Sequence, residues 1–264
     1  MAAAPDSAEL RLLTGRATWA LASREMRRVL SLWTQTLLPP VVTGLIFLAI
    51  FGGALGGRLH SVAGVNYVRF ILPGLLVMTV AGQAFANNST SLFQAKNEGY
   101  IEDVLSSPLR AWQLVLAYMT GGLLRGWLAA LVLALVASPF AGAPSDPAPL
   151  IAALGLTGLV FAALGVITGT WADTFDQHAF IASLIITPLA LLGGVFYAAE
   201  RLHEPWHTLT RADPLYYLVD ATRQGWTGVH ETAVLAALLV ALAVASAVFA
   251  LAVALTGRGW RLKP

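Results

Sequence analysis

Long apolar runs separated by short polar segments follow one another along the whole chain. A transmembrane helix needs ~20 predominantly apolar residues, and these runs approach or exceed that length. The pattern predicts an all-α membrane protein that forms a single transmembrane domain over residues 1–264. The six predicted spans are residues 37–53, 67–93, 114–137, 150–171, 180–197 and 232–255.

An amphipathic segment, residues 10–33, precedes the first span. Its arginines alternate with leucine, valine, methionine and tryptophan, which is typical of an interfacial helix that lies on an anionic leaflet. A solvated helix without membrane contact is the alternative. The basic positions on which the prediction depends are Arg16, Arg24, Arg27 and Arg28.

A short charged segment, residues 98–109, lies between the second and third spans. With helical spacing, its apolar side chains share one face and its acidic side chains mark another. Pro108 cannot continue such a helix. A short helix across the end of a membrane bundle is well placed to contact a soluble protein. The residues that define the faces and the end are Glu98, Tyr100, Ile101, Glu102, Asp103, Leu105 and Pro108.

The connection between the fifth and sixth spans, residues 200–231, is long and rich in aromatic side chains. Pro205 and Pro214 each stand where a helix could begin. We predict two short re-entrant helices that dip into the outer interface. They form either a plain aromatic belt or a lid over an exit path.

Composition and charge support a membrane protein and give its orientation. Only 11% of the residues are charged and 57% are hydrophobic, whereas soluble domains average roughly 25% charged residues. Ten of the 16 basic residues fall on the side that carries both termini and residues 98–109, and five fall on the other side. That side is therefore predicted to be cytoplasmic. The absence of cysteine excludes disulfides and thiolate metal ligands.

The chain has no nucleotide-binding motif of its own. A P-loop needs Gly-Lys before Ser or Thr, so that backbone amides and the lysine hold the phosphates. Ala95 precedes Lys96 and Leu262 precedes Lys263, and these are the two lysines of the sequence. Any ATP-driven activity must therefore draw its energy from a partner.

Arg125 lies inside the third predicted span. A charge at mid-membrane costs ~2.5–3.5 kcal/mol on insertion scales, so it must snorkel, pair or face water. We expect it to snorkel or to pair toward the cytoplasmic side, and Glu102, Asp173 or Asp176 is the expected partner. A role in a substrate path or in coupling is the alternative.

Other polar and small residues have plainer interpretations. Asp173, Asp176 and His178 resemble a metal or catalytic cluster, but aspartates in a short turn before a helix typically cap its amides. The polar run 87–90 favours interhelical hydrogen bonds over substrate contact. Three Gly-x-x-x-Gly pairs predict ordinary close packing of helices. They are Gly53 with Gly57, Gly122 with Gly126, and Gly165 with Gly169.

Two groups of motifs occur in a specific order and spacing after about residue 30. The first group is Glu98-Gly-Tyr-Ile-Glu-Asp-Val-Leu-Ser-Ser-Pro-Leu and Gly121-Gly-Leu-Leu-Arg-Gly126. The second is Thr174-Phe-Asp176, Thr187-Pro188, Gly193-Gly-Val-Phe-Tyr197, Pro205-Trp206, Asp213-Pro-Leu-Tyr-Tyr217 and Asp220-Ala-Thr-Arg223. Together they resemble the permease subunits of ABC type-2 exporters, in the YadH-like bacterial branch. The family often has Asn where this chain has Asp213, and Pro where it has Ala198.

The resemblance implies a multi-pass cytoplasmic (inner) membrane protein that pairs with a second permease copy and with two ATPase subunits. It implies that residues 98–109 form the coupling helix, that residues 10–33 form the connecting helix, and that the second and fifth spans line the path. ATP and magnesium would bind to the ATPase, and this chain would bind no cofactor, no metal and no nucleic acid. The expected substrate is amphipathic or lipidic, such as a drug, a lipid or a lipid-linked glycan. The candidate path residues are Met78, Phe85, Asn88, Thr187, Leu191 and Phe196.

Two other functions compete with export. A membrane-embedded enzyme acting on lipid needs a nucleophile and a base, or a metal set, at one depth. The five histidines all fall in predicted loops, and the chain has no Gly-x-Ser-x-Gly elbow. A scaffold that only anchors an ATPase is the other alternative.

Overall fold

The computed structural model describes residues 7–56, 61–62 and 64–261, and in this part of the chain the regular structure is helical. Gly57, from one of the predicted glycine pairs, lies outside the described residues. The helices are α1 (Ser7–Ser31), α2 (Trp33–Gly56), α3 (Tyr67–Asn97), α4 (Ile101–Leu105), α5 (Ala111–Ala141), α6 (Pro147–Trp171), α7 (Phe175–Ile181), α8 (Thr187–Leu192), α9 (Trp206–Ala212), α10 (Pro214–Thr227) and α11 (Val234–Gly257), with a π-helical turn at Ala182–Ile186 and a 3-10 turn at Ala199–Arg201.

Helices α3 and α6 form the centre of the bundle and pack along each other. Glycines of α6 make the close approach possible. A Cβ atom on Gly165 would lie 2.6 Å from the carbonyl oxygen of Phe85, and one on Gly169 would lie 2.7 Å from that of Ser89. The close packing predicted for this glycine pair is confirmed. Helices α1, α2, α5 and α11 surround the central pair.

The bundle has two ends, which we name after the short helices that lie there. At the α4 end, Lys96 of α3 donates a hydrogen bond to the carbonyl oxygen of Thr170, 2.6 Å away in the last turn of α6. At the α10 end, the hydroxyl of Tyr67, at the start of α3, donates to the carbonyl oxygen of Phe196 over 3.0 Å. Arg261, the last described residue, forms an ion pair with Asp173 at the α4 end.

Five helices of the described residues, α2, α3, α5, α6 and α11, are long and apolar enough to cross a membrane. The fifth predicted span, residues 180–197, is not one continuous α-helix. Its place is taken by α7, the π-helical turn and α8, which begin at Phe175 and end at Leu192. Pro188 has no N–H to donate, which interrupts the hydrogen-bond ladder. Gly194, at φ +73°, lies in the turn that follows.

The two short helices predicted between the fifth and sixth spans are present as α9 and α10. Pro205 precedes α9, and Pro214 opens α10, as the sequence indicated. Their depth in a membrane stays a prediction. Helix α10 is no surface belt, because Trp226 is buried and donates its indole N–H to the carbonyl oxygen of Ala141 at 3.3 Å. Arg223 of the same helix is only 1% exposed.

Candidate coupling surface and intramembrane cavity

Helix α4 has one buried face and one exposed acidic face. Ile101 is 2% exposed and anchors the helix in the core, whereas Glu102 and Asp103 are exposed. Tyr100 and Leu105 are half-buried and pack against the core. This is the two-faced arrangement that helical spacing predicted.

The helix is shorter than the predicted range 98–109. Glu98 caps the end of α3, and Gly99, at φ +80°, makes the turn into α4. The helix already ends at Leu105, and Ser106 and Ser107 form a turn before Pro108. The hydroxyl of Ser107 bonds to the carbonyl oxygen of Val104 at 2.5 Å. These local hydrogen bonds end the helix before the proline is reached.

A groove of about 820 Å³ lies between α1 and α4. Arg24, Arg27 and Arg28 line it from α1, and Tyr100 and Asp103 line it from the α4 side. The groove therefore combines exposed basic side chains with an acidic rim. Arg16, the remaining basic residue predicted on this helix, is exposed outside the groove lining.

Glu25 fixes α1 to the bundle. The side chain is 1% exposed and forms ion pairs with Arg24 at 2.9 Å and Arg28 at 3.1 Å. Ser91 of α3 donates a hydrogen bond to the same carboxylate at 2.7 Å, and Arg28 donates to the side-chain oxygen of Asn87 at 3.2 Å. A buried carboxylate shared in this way ties α1 to the last turns of α3.

Glu25 was not among the functional residues predicted from the sequence. It stands four residues from both Leu21 and Val29, on the apolar face of an arginine-rich helix. An acidic residue on the apolar face of a helix was the signal in the sequence that could have identified Glu25 as a buried ion-pair partner. The guanidinium of Arg24 also lies 5.2 Å from the centre of the Tyr100 ring. Contacts thus run from the segment around α4 through α1 to α3.

Ion pairs close the rest of the α4 end. Asp173 pairs with Lys96 at 3.4 Å and also with Arg261. The expected capping role of Asp173 is wrong, because the hydroxyl of Thr174 caps α7 by accepting from the backbone N–H of Gln177. Among the described residues, no three histidine, aspartate or glutamate side chains come together as metal ligands would.

Arg125 lies near the middle of α5, and its partner is neutral. Its Nε donates to the side-chain oxygen of Gln83 of α3 at 2.8 Å. The expected pairing with Glu102, Asp173 or Asp176 is wrong. These acids lie at the α4 end, several helical turns from the middle of α5.

Two cavities share Arg125 as a wall. One, of about 320 Å³, lies between α2 and α3, and the other, of about 280 Å³, extends toward α1. Side chains of α3 line both cavities. Residues of α2 complete the first cavity, and residues of α1, α2 and the turn between them complete the second. Arg125 therefore borders two open spaces beside α3.

The structure does not bring the six candidate path residues together. Met78 lines the 320 Å³ cavity with Phe47, whose ring centre is 5.5 Å from that of Phe196. Thr187 and Leu191 are exposed on α8.

Phe85 and Asn88 are buried instead in the core beside α6 and α7. Asn88 donates to the carbonyl oxygen of Ala162 at 3.0 Å, and the Phe85 ring lies 6.3 Å from that of His178. Ser89 and His178 are 2.7 Å apart. The interhelical hydrogen bonds predicted for this polar run are thus confirmed for Asn87, Asn88 and Ser89, while contact with substrate stays a prediction.

A helical bundle with five long apolar helices in its described part defines a polytopic membrane protein. The chain belongs to the ABC-2 type transporter family, whose model matches residues 16–227. It is 33% identical over 217 residues to the inner membrane transport permease YadH of Escherichia coli strain K12, covering 82% of this chain and 84% of that protein. It is also 27% identical over 198 residues to nodulation protein J of Neorhizobium galegae, covering 73% and 74%. The family predicted from the motifs is confirmed.

Proposed function

We propose that this chain is the permease subunit of an ABC exporter in the bacterial cytoplasmic membrane. Support comes from the family match and from a relative named as an inner membrane transport permease. In this proposal two permease copies work with two ATPase subunits, which carry the ATP and magnesium. The substrate is amphipathic or lipidic.

The observation that carries the proposal is the exposed acidic face of α4 beside the α1 groove. Glu102 and Asp103 offer charge to a soluble partner, while Ile101 holds the helix against the core. A displacement of α4 would pass to α1 through Tyr100 and Arg24, and from α1 to α3 through the Glu25 carboxylate. Closing of the ATPase dimer could move the bundle by this route.

The proposed orientation places the α4 end in the cytoplasm. Ten basic residues are predicted from the sequence to lie on this side of the membrane and five on the other, and the excess marks the cytoplasmic side. The segment from α7 to α8 joins the α4 end, at Asp173, to the α10 end, at Phe196. At a rise of about 1.5 Å per residue, its helical part is about 27 Å long, close to the ~30 Å of a hydrocarbon core. We propose that this segment is the sixth crossing, which puts both termini on the cytoplasmic side.

Charge reversal on α4 tests the coupling surface. We expect Glu102→Lys combined with Asp103→Lys, in the permease assembled with its ATPase, to abolish transport and substrate-stimulated ATP hydrolysis. Like charges across a docking surface oppose association. The matched control is Asp176→Lys, an exposed acid in the first turn of α7 at the same end. Unchanged transport in the double variant would refute the assignment of α4.

A further inference from the structure

We propose that the two cavities around Arg125 bind the phosphate headgroup of an anionic amphiphile. This deepens the export proposal, because it names a chemical class for the molecule that the permease handles. The inference rests on the proposed function only for the step from binding to transport. The binding site itself depends only on Arg125 and its surroundings.

The charge of Arg125 is not compensated within the described part of the chain. Among the residues whose side chains are described, it forms no ion pair, and its one hydrogen-bond partner is the neutral amide of Gln83. A guanidinium carries five N–H donors. Arg125 lines both cavities, and their described walls contain no acidic side chain.

Arg28 and Arg223 also reach into the bundle, and both have close partners there. Arg28 pairs with the carboxylate of Glu25. Arg223 donates to the carbonyl oxygen of Gly194 at 2.7 Å and to that of Phe70 at 3.4 Å, and it lies 4.0 Å over the Phe70 ring. Arg125 differs from both: it is half-buried and borders open space without an acidic partner, whereas Arg28 has a counter-charge and Arg223 is 1% exposed.

One face of α3 extends this polar environment along the cavities. The face carries hydrogen-bonding side chains at intervals of three or four residues, which places them in one row on the helix. They are Thr79, Gln83, Asn87, Thr90 and Gln94. Arg28 also lines the 280 Å³ cavity, so two guanidinium groups border the same space.

Apolar side chains also line the 320 Å³ cavity. Leu75, Met78 and Phe47 face it, and Phe47 continues into an aromatic group with Phe51 and Phe196. A headgroup held at Arg125 would therefore have an apolar surface beside it for an acyl or prenyl chain. Arginine binds phosphate through paired hydrogen bonds, and this geometry favours phosphate over a neutral polar group.

Lipid binding to the purified full-length chain tests the proposal without any ATPase. The probes are phosphatidylglycerol and phosphatidylcholine with identical acyl chains, and native mass spectrometry measures the two affinities. We expect the wild type to prefer phosphatidylglycerol. Both lipids carry the phosphate, but only phosphatidylglycerol has a net negative charge. Loss of the positive charge in Arg125→Gln should therefore lower that preference about tenfold, whereas Arg125→Lys, which keeps the charge, should keep most of it. Arg201→Gln, at an exposed arginine, is the matched control.

A second measurement on the wild type covers the case in which Arg125→Gln fails to fold. A photoactivatable phosphatidylglycerol should label peptides of α2 and α3 around residues 35–47 and 75–87. Labelling confined to the outer surface of α11, or a wild type without preference for phosphatidylglycerol, would overturn the proposal.

Reconstitution with the ATPase distinguishes a transported amphiphile from a resident bilayer lipid as the source of the bound headgroup. If ATP hydrolysis moves the labelled phosphatidylglycerol to the opposite leaflet, the bound molecule belongs to the transported class. If the lipid stays bound during turnover, the site holds a resident bilayer lipid, and the headgroup assignment stands. Failure of the export proposal would appear as absent transport with the binding preference intact.

Discussion

The Asp213 carboxyl group caps α10 from a buried position. The side chain is 5% exposed, and its Oδ1 accepts from the backbone N–H of Leu215 at 2.8 Å. Its Oδ2 is buried without a hydrogen-bond partner. An apolar cavity of about 200 Å³, lined in part by Phe161 and Val244, adjoins it. Burial raises the pKa of this carboxyl group to about 6, although the bond from Leu215 acts in the opposite direction.

The sign of the resulting pH dependence follows from proton binding. The pKa is about 4 in the unfolded chain, so the folded chain holds the proton more tightly. The contribution of Asp213 to the free energy of unfolding is therefore greatest below pH ~4, falls as the pH rises through ~6, and is constant above that. The difference between the two pKa values corresponds to at most about 3 kcal/mol.

We expect Asp213→Asn to stabilise the protein at pH 7.5. Asparagine keeps an oxygen for Leu215 but carries no charge, although its amide nitrogen would take the unpaired position of Oδ2. The net gain should be about 1–3 kcal/mol. Thermal unfolding of the purified chain between pH 4 and pH 8 measures it, and the two proteins should converge near pH 4 because the wild-type carboxyl is then protonated.

The matched control is Asp146→Asn. Asp146 caps α6 through the backbone N–H of Ala148 at 3.0 Å, but it is exposed, so the exchange should change the thermal stability little at any pH. Equal stability of Asp213→Asn and wild type across the whole pH range would refute the reasoning. So would a variant that is less stable at pH 7.5.

Two further variants test the packing that carries the site. Glu25→Gln should lower the free energy of unfolding by about 2–3 kcal/mol, because two guanidinium groups lose their shared counter-charge. The same variant should also reduce substrate-stimulated ATP hydrolysis. Glu200→Gln, at an exposed acid, is the control and should change neither quantity. Gly165→Ala should cost about 1–3 kcal/mol in thermal unfolding, because the new methyl group meets the α3 backbone at 2.6 Å. Gly155→Ala, whose nearest neighbour would be 3.7 Å away, should be neutral or slightly stabilising.

The sequence by itself determined the parts of this protein that depend on local patterns. Apolar length gave the long helices, and helical spacing gave the two faces of α4 around Ile101 and Glu102. Prolines at 205 and 214 marked the starts of α9 and α10. Motif order gave the family. Each of these signals is complete within a short stretch of chain, so no knowledge of packing was needed.

Only the tertiary structure decided which side chains meet. Arg125 pairs with Gln83, 42 positions away in the sequence, and Glu25 joins Ser91, 66 positions away. Helix α10, which looked interfacial by its aromatic composition, is packed into the bundle. A charge or an aromatic ring has the same signature in a sequence whether it faces lipid, water or another helix. Its partner is fixed by how distant helices pack, and a pattern read along the chain does not contain that information.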